Sequence, residues 1–186
     1  MRYFLFVLLC SPIIAIAQNN VFFGAGLISS FGETTFQETT FSVNNYSDFG
    51  VYYGNEFRVK NQFGLILEVC YLNNQLVLAT SENKKFELHQ NIGLGIKPGF
   101  YIKDHSFHLN VGILGVYVFD KDVIHGNQLD RFDEAYYYGL DYYYDISPKI
   151  SLNSGFLVSS FESISHYTNH TLKKFSVLKL SIYYHI

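Results

Sequence analysis

After residue 17, apolar side chains recur at every second position, and no stretch is long and apolar enough for a membrane-crossing helix, which needs ~20 such residues. Strand side chains alternate between two faces. This period therefore predicts strands with one greasy face, and it recurs in eight segments: Val21 to Ser29, Phe49 to Lys60, Phe63 to Leu72, Phe86 to Tyr101, Phe107 to Phe119, Ala135 to Ile146, Lys149 to Ser160 and Phe175 to Ile186. In the third, Phe63, Leu65, Leu67, Val69 and Tyr71 alternate with Gly64, Ile66, Glu68 and Cys70. In the last, Leu178, Leu180, Ile182, Tyr184 and Ile186 alternate with Lys179, Ser181, Tyr183 and His185.

The connections alternate too. Three are short: Lys60-Asn61-Gln62, Lys103-Asp104-His105-Ser106 and Ser147-Pro148-Lys149. Four are long and polar, at about 30–48, 73–85, 120–134 and 161–174. Short turns on one side and long loops on the other are the habit of outer-membrane barrels. In lipid every backbone N–H and C=O must find an internal partner, so the sheet must close. The expected fold is all-β, an eight-stranded antiparallel up-and-down transmembrane β-barrel over 18–186. Aromatic rings should mark both interfaces. Phe57, Phe63, Tyr101, Phe107, Tyr144 and Tyr184 are expected on the short-turn side, and Phe49, Tyr71, Phe86, Tyr117 and Tyr136 on the long-loop side.

Residues 1–17 read as a secretory signal peptide. Arg2 precedes an apolar run, Pro12 interrupts it, and Ala15-Ile16-Ala17 offers a small-x-small cleavage signal. Leu9 before Cys10 is not the small residue that a lipoprotein signal requires. Cleavage takes Cys10 away, and Cys70 alone cannot form an internal disulfide. The net charge of −3 becomes −4 without Arg2, and no basic block points to nucleic acid.

Eight strands leave an interior just wide enough for side chains to fill. The inward positions carry Glu56, Arg58, Glu68, His89, Asp141, Lys179 and His185. They read as a polar plug, with Arg58 and Lys179 set against Glu56, Glu68 and Asp141. A functional version is a narrow pore gated at Arg58. His166 and His170 have a helical metal spacing, but no helix, carboxylate or cysteine accompanies them. The acidic stretch with Asp120, Asp122, Asp130, Asp133 and Glu134 matches no calcium loop. Gly24-Ala25-Gly26 and Gly93-Leu94-Gly95 open no helix, so a nucleotide fingerprint fails. No cofactor is expected.

Several phrases resemble the outer-membrane β-barrel families of Bacteroidetes-type bacteria, including PorT-like proteins. They are Leu94-Gly95-Ile96-Lys97-Pro98-Gly99, Asn110-Val111-Gly112-Ile113-Leu114-Gly115-Val116-Tyr117, Phe132-Asp133 and Leu152-Asn153-Ser154-Gly155-Phe156. The closing Leu178, Leu180, Ile182, Tyr184 and Ile186 resemble the signal read by barrel-assembly machinery, with Ile186 in place of the usual Phe. The resemblance implies an outer-membrane location and brings no catalytic residues.

Three functions follow from these readings. The first is a non-enzymatic scaffold or binding barrel, in contact with outer-membrane lipids and with envelope proteins through its long loops. The second is a lipid-modifying enzyme (acyl hydrolase or transferase) using a His and a Ser, such as His166 with Ser163 or Ser165. The third is a soluble periplasmic, lipocalin-like barrel with its apolar faces inward.

Overall fold

A computed structural model describes residues 18–36, 39–44, 48–59, 62–79, 84–120, 131–161 and 170–186, and side-chain surroundings for 20–31, 48–59, 62–73, 90–117, 134–159 and 176–186. The expected signal peptide, His166 and most of the acidic stretch lie outside the described residues.

Among these residues the chain is all strand: β1 (Gln18–Phe36), β2 (Thr39–Asn44), β3 (Asp48–Val59), β4 (Phe63–Ala79), β5 (Lys84–Ile102), β6 (His105–Asp120), β7 (Arg131–Ser147), β8 (Ile150–Phe161) and β9 (His170–His185). Every neighbouring pair is antiparallel, and β1 pairs with β9, so the sheet closes. β2 and β3 are two lengths of one stave. β2 pairs with β1 from Phe31 to Phe36, and β3 pairs with β1 from Gln18 to Ile28. The result is an eight-stranded up-and-down barrel.

Register partners followed across the wall climb as they go round. From Val21 they run through Asn55, Leu67, Ile96, Val111, Tyr138, Val158 and Ser176, and return to β1 at Phe31. That displacement is the shear, and it tilts the strands, as closure of a barrel requires. At the short-turn rim the ladder continues through the turns. Tyr101 N–H donates to Gln62 (2.8 Å), Asp145 N–H to Asp104 (2.7 Å), His185 N–H to Lys149 (2.9 Å) and Ile186 N–H to Val21 (2.8 Å).

Two of the short connections are tighter than expected. β5 and β6 pair through Ile102 and His105, leaving Lys103-Asp104 as the turn. Lys103 has φ 55°, the left-handed region that two-residue hairpin turns use. Ser147 pairs with Ile150 around Pro148-Lys149.

On the other side, among the described residues, strand runs through much of the connections expected at 30–48 and 73–85 and into the ends of those expected at 120–134 and 161–174. β4 and β5 stay paired to Ala79 and Lys84, and β1 and β2 to Phe36 and Thr39. The physical reason is that pairing continues into water, where both faces are wetted and the period of two disappears from the sequence.

The apolar faces point outward. Leu27, Phe63, Ile92, Leu140, Leu180 and Tyr136 are exposed, Leu140 by 65% and Tyr136 by 68%, and they form a belt around the wall with their same-face neighbours. This polarity is the reverse of a lipocalin-like barrel and removes that reading. Exposed Phe49, Phe63, Phe107, Tyr136, Tyr144 and Tyr184 occupy the interfacial positions. Two rings differ from expectation. Tyr101 is buried in the lumen because its position has the parity of Lys97 and Gly99. Phe57 has the outward parity yet is only 7% exposed.

Candidate functional site

The lumen is filled in three levels, which the register stacks from the short-turn mouth upward.

At the mouth, the end of β3 contributes Glu56 and Arg58. The Arg58 Nε lies 3.0 Å from Glu56 Oε1, and its Nη2 lies 3.4 Å from Asp145 Oδ2 on β7. The guanidinium stands 4.3 Å from the centre of the Tyr101 ring, and the Tyr101 hydroxyl donates to Glu56 Oε1 at 2.5 Å. Ser151 Oγ lies 2.6 Å from Asp145 Oδ1 and 2.7 Å from His185 Nε2. An ionised carboxylate only accepts. Ser151 therefore donates to Asp145, and the His185 ring donates to Ser151. A nucleophilic serine needs the opposite polarity, with its proton facing a base. Arg58, Asp145, Ser151 and His185 line a polar cavity of about 680 Å³ together with Lys103 and Lys149.

The middle level is a closed ion cluster. Lys97 of β5 is 0% exposed. Its Nζ lies 2.6 Å from Glu68 Oε1 of β4, 2.9 Å from Asp141 Oδ2 of β7, and 3.1 Å from the Tyr143 hydroxyl. Lys179 of β9 reaches Asp141 Oδ1 at 2.7 Å. Asn110 donates to Asp141 at 2.8 Å, and the Tyr183 hydroxyl donates to Glu68 at 3.1 Å. Two ammoniums face two carboxylates, so the cluster is neutral. That is the condition for keeping ions out of water, since an unpaired buried charge costs several kcal/mol. Rings complete the level: Tyr183 lies 5.1 Å from Phe22, 5.3 Å from Tyr143 and 5.6 Å from Tyr52. A Cβ on Gly155 would collide with Asp141 Oδ1 and with the Lys179 side chain, so the cluster occupies the space that this glycine leaves.

The upper level, toward the long connections, is mainly aliphatic, with Ser30, Asn91 and Ser159 as buried polar side chains. Ile28, Leu72, Leu114, Val116, Ala135, Leu157 and Val177 are buried inside the wall.

The structure thus brings together Glu68, Asp141 and Lys179 in one cluster, and Glu56, Arg58 and His185 in another. The side chain of His89 lies outside the described ones. The expected pairings change in two places: Glu68 is matched by Lys97, and Arg58 also meets Asp145. The plug expected from the sequence omits Lys97, Asp145, Tyr52, Tyr143 and Tyr183. Inward parity was the signal available for all five.

No family model matches the sequence, and no curated protein matches it. Solved structures match the fold. The chain is similar to Ail, the attachment invasion locus protein of Yersinia pestis, solved with the heparin analogue sucrose octasulfate. The TM-score is 0.61 at 12% identity, over 91% of this chain and 99% of that one. It is similar to Neisserial surface protein A (TM-score 0.60, 10% identity, 88% and 96% covered). It is also similar to the outer membrane protein OprG of Pseudomonas aeruginosa (0.53, 9%, 91% and 97%). At these identities the likeness is one of architecture. A closed antiparallel barrel with an apolar belt is the outer-membrane way of spanning a bilayer, and the protein is an outer-membrane β-barrel.

Proposed function

We propose that the protein is a non-enzymatic barrel that acts as a scaffold or binding protein, through the segments that rise beyond its belt on the long-connection side. One observation carries the reading: Lys97 is wholly buried between Glu68 and Asp141, with a packed, mainly aliphatic layer above it. A lumen closed by both a neutral ion cluster and hydrocarbon leaves the outer surfaces to meet partners. Paired strands that continue past the belt, such as β4 and β5 to Ala79 and Lys84, give those surfaces a rigid base, and segments held on a rigid scaffold commonly carry recognition. The expected partners are outer-membrane lipids, the barrel-assembly machinery that reads Leu178 to Ile186, and envelope proteins.

The same proposal includes the signal peptide at 1–17 and kinship with PorT-like barrels of Bacteroidetes-type bacteria, supported by Leu94–Gly99 and Asn110–Tyr117. The test shortens 30–48 or 120–134 and measures heat-modifiable migration and co-purifying envelope proteins. Retained folding with loss of the partners is expected. An unchanged partner set after both deletions overturns the proposal, as does altered lipid A or phospholipid acylation in cells lacking the protein.

A further inference from the structure

Outside the lumen, one part of the wall combines an apolar trough, an interrupted ladder and a polar aromatic cluster at interfacial depth. The trough, of about 550 Å³, crosses β5 to β9 and is lined by Pro98, Phe107, Leu109, Leu140, Phe156 and Leu178, among others. At its floor the pairing of β5 with β6 passes from Ile96–Val111 to Gly99–His108, leaving Lys97 and Pro98 without partners on β6, although both pair with β4. Proline has no N–H to give the ladder. The freed Lys97 carbonyl is met from inside by His108 Nδ1 at 3.1 Å.

The trough ends at the short-turn rim in a cluster of stacked and tilted rings. Phe107 lies 5.4 Å from Phe100 and 5.1 Å from Tyr142, and His105 lies 5.9 Å from Tyr142 and 5.2 Å from Tyr144. His105 Nδ1 is 2.7 Å from the Tyr142 hydroxyl, in an exposed pair. Lys103 is exposed two residues before His105. In the two described two-residue turns Lys103 and Lys149 stand against Asp104, so each of these turns offers an ammonium at the membrane surface.

We propose that this wall holds one anionic glycerophospholipid of the leaflet on the short-turn side. An acyl chain lies in the trough, and the phosphate sits at Lys103 and His105. The apolar lining fits the chain. The ammonium, imidazole and phenol groups stand where a headgroup begins, and lysines at a membrane surface attract anionic lipid.

The test uses the full barrel in mild detergent with palmitoyl-oleoyl phosphatidylglycerol or, at the same ratio, palmitoyl-oleoyl phosphatidylcholine, read by native mass spectrometry. One retained phosphatidylglycerol per barrel is expected, at several-fold higher occupancy than phosphatidylcholine. A Lys103→Asn/His105→Gln variant should fall to the phosphatidylcholine level; asparagine tolerates the left-handed backbone. Ser154→Trp, which fills the trough, should lower both occupancies. Heat-modifiable migration verifies that each variant is folded. Equal occupancy of the two lipids in the unaltered barrel overturns the proposal. So does unchanged phosphatidylglycerol in the Lys103/His105 variant, or an equal loss in Lys149→Asn.

Discussion

Replacing Lys97 with methionine keeps most of the side-chain volume and removes the charge that two carboxylates share. Asp141 keeps Lys179 at 2.7 Å, but Glu68 loses its 2.6 Å ion pair and retains the Tyr183 hydroxyl. Removing one partner of a buried pair costs about 3–5 kcal/mol, because the remaining charge stays out of water uncompensated. The whole of that cost should appear, since Lys97 and Glu68 are both almost fully buried. Urea unfolding of the barrel in lipid vesicles, followed by heat-modifiable migration, measures it. The double variant Lys97→Met/Glu68→Gln removes the orphaned charge and keeps an acceptor for Tyr183, so it should recover at least about 2 kcal/mol of the loss. A single-variant cost under about 1 kcal/mol, or no recovery in the double variant, would refute the neutral-cluster argument.

Arg58→Gln should leave planar-bilayer conductance at its original level, because Arg58 closes only the mouth while the ion cluster and the aliphatic layer lie above it. Gly155→Ala should destabilise by about 1–3 kcal/mol in the same urea titration, since the new methyl group forces Asp141 and Lys179 apart. Arginine on the belt should show a depth profile. Leu180→Arg, in the middle of the outer face of β9, should cost about 2–4 kcal/mol of folding into vesicles, and Tyr184→Arg, near the short-turn rim, about 0–1 kcal/mol. Equal costs at the two sites contradict the placement of the belt.

The outer face was legible because most outward positions within the belt meet one solvent, lipid, and are apolar, with Asn55 and Ser154 as polar exceptions. Leu178, Leu180, Ile182 and Tyr184 read as one face and stand on one face. Strand length was not legible where the ladder leaves the bilayer. Leu76 still pairs with Glu87, and no alternation is required there. Parity also outranked position along the strand. Tyr101 lies near a strand end, which suggested an interfacial ring, but it shares the parity of Lys97 and points inward. The charge pairings were hidden for a further reason. Which inward groups share a level depends on the shear, and Lys97 meets Asp141 from a non-adjacent stave only because the register climbs between β5 and β7. A single strand's sequence contains no trace of that climb.

The upper wall bears on what the barrel can do. At that level both faces are greasy: Leu72, Leu114, Val116 and Val177 fill the inside, while Ile92, Ile113 and Leu178 face out. A pore closed only by ion pairs opens when one charge is removed or titrated, because water follows the unmatched group. Above the cluster the packing is mainly hydrocarbon, with Ser30, Asn91 and Ser159 buried among it, and burying each apolar side chain contributes about 1.5–3 kcal/mol. Opening this lumen therefore requires breaking the ion cluster and wetting the aliphatic layer together, and changes confined to the mouth at Arg58, Asp145 or His185 leave the second barrier intact.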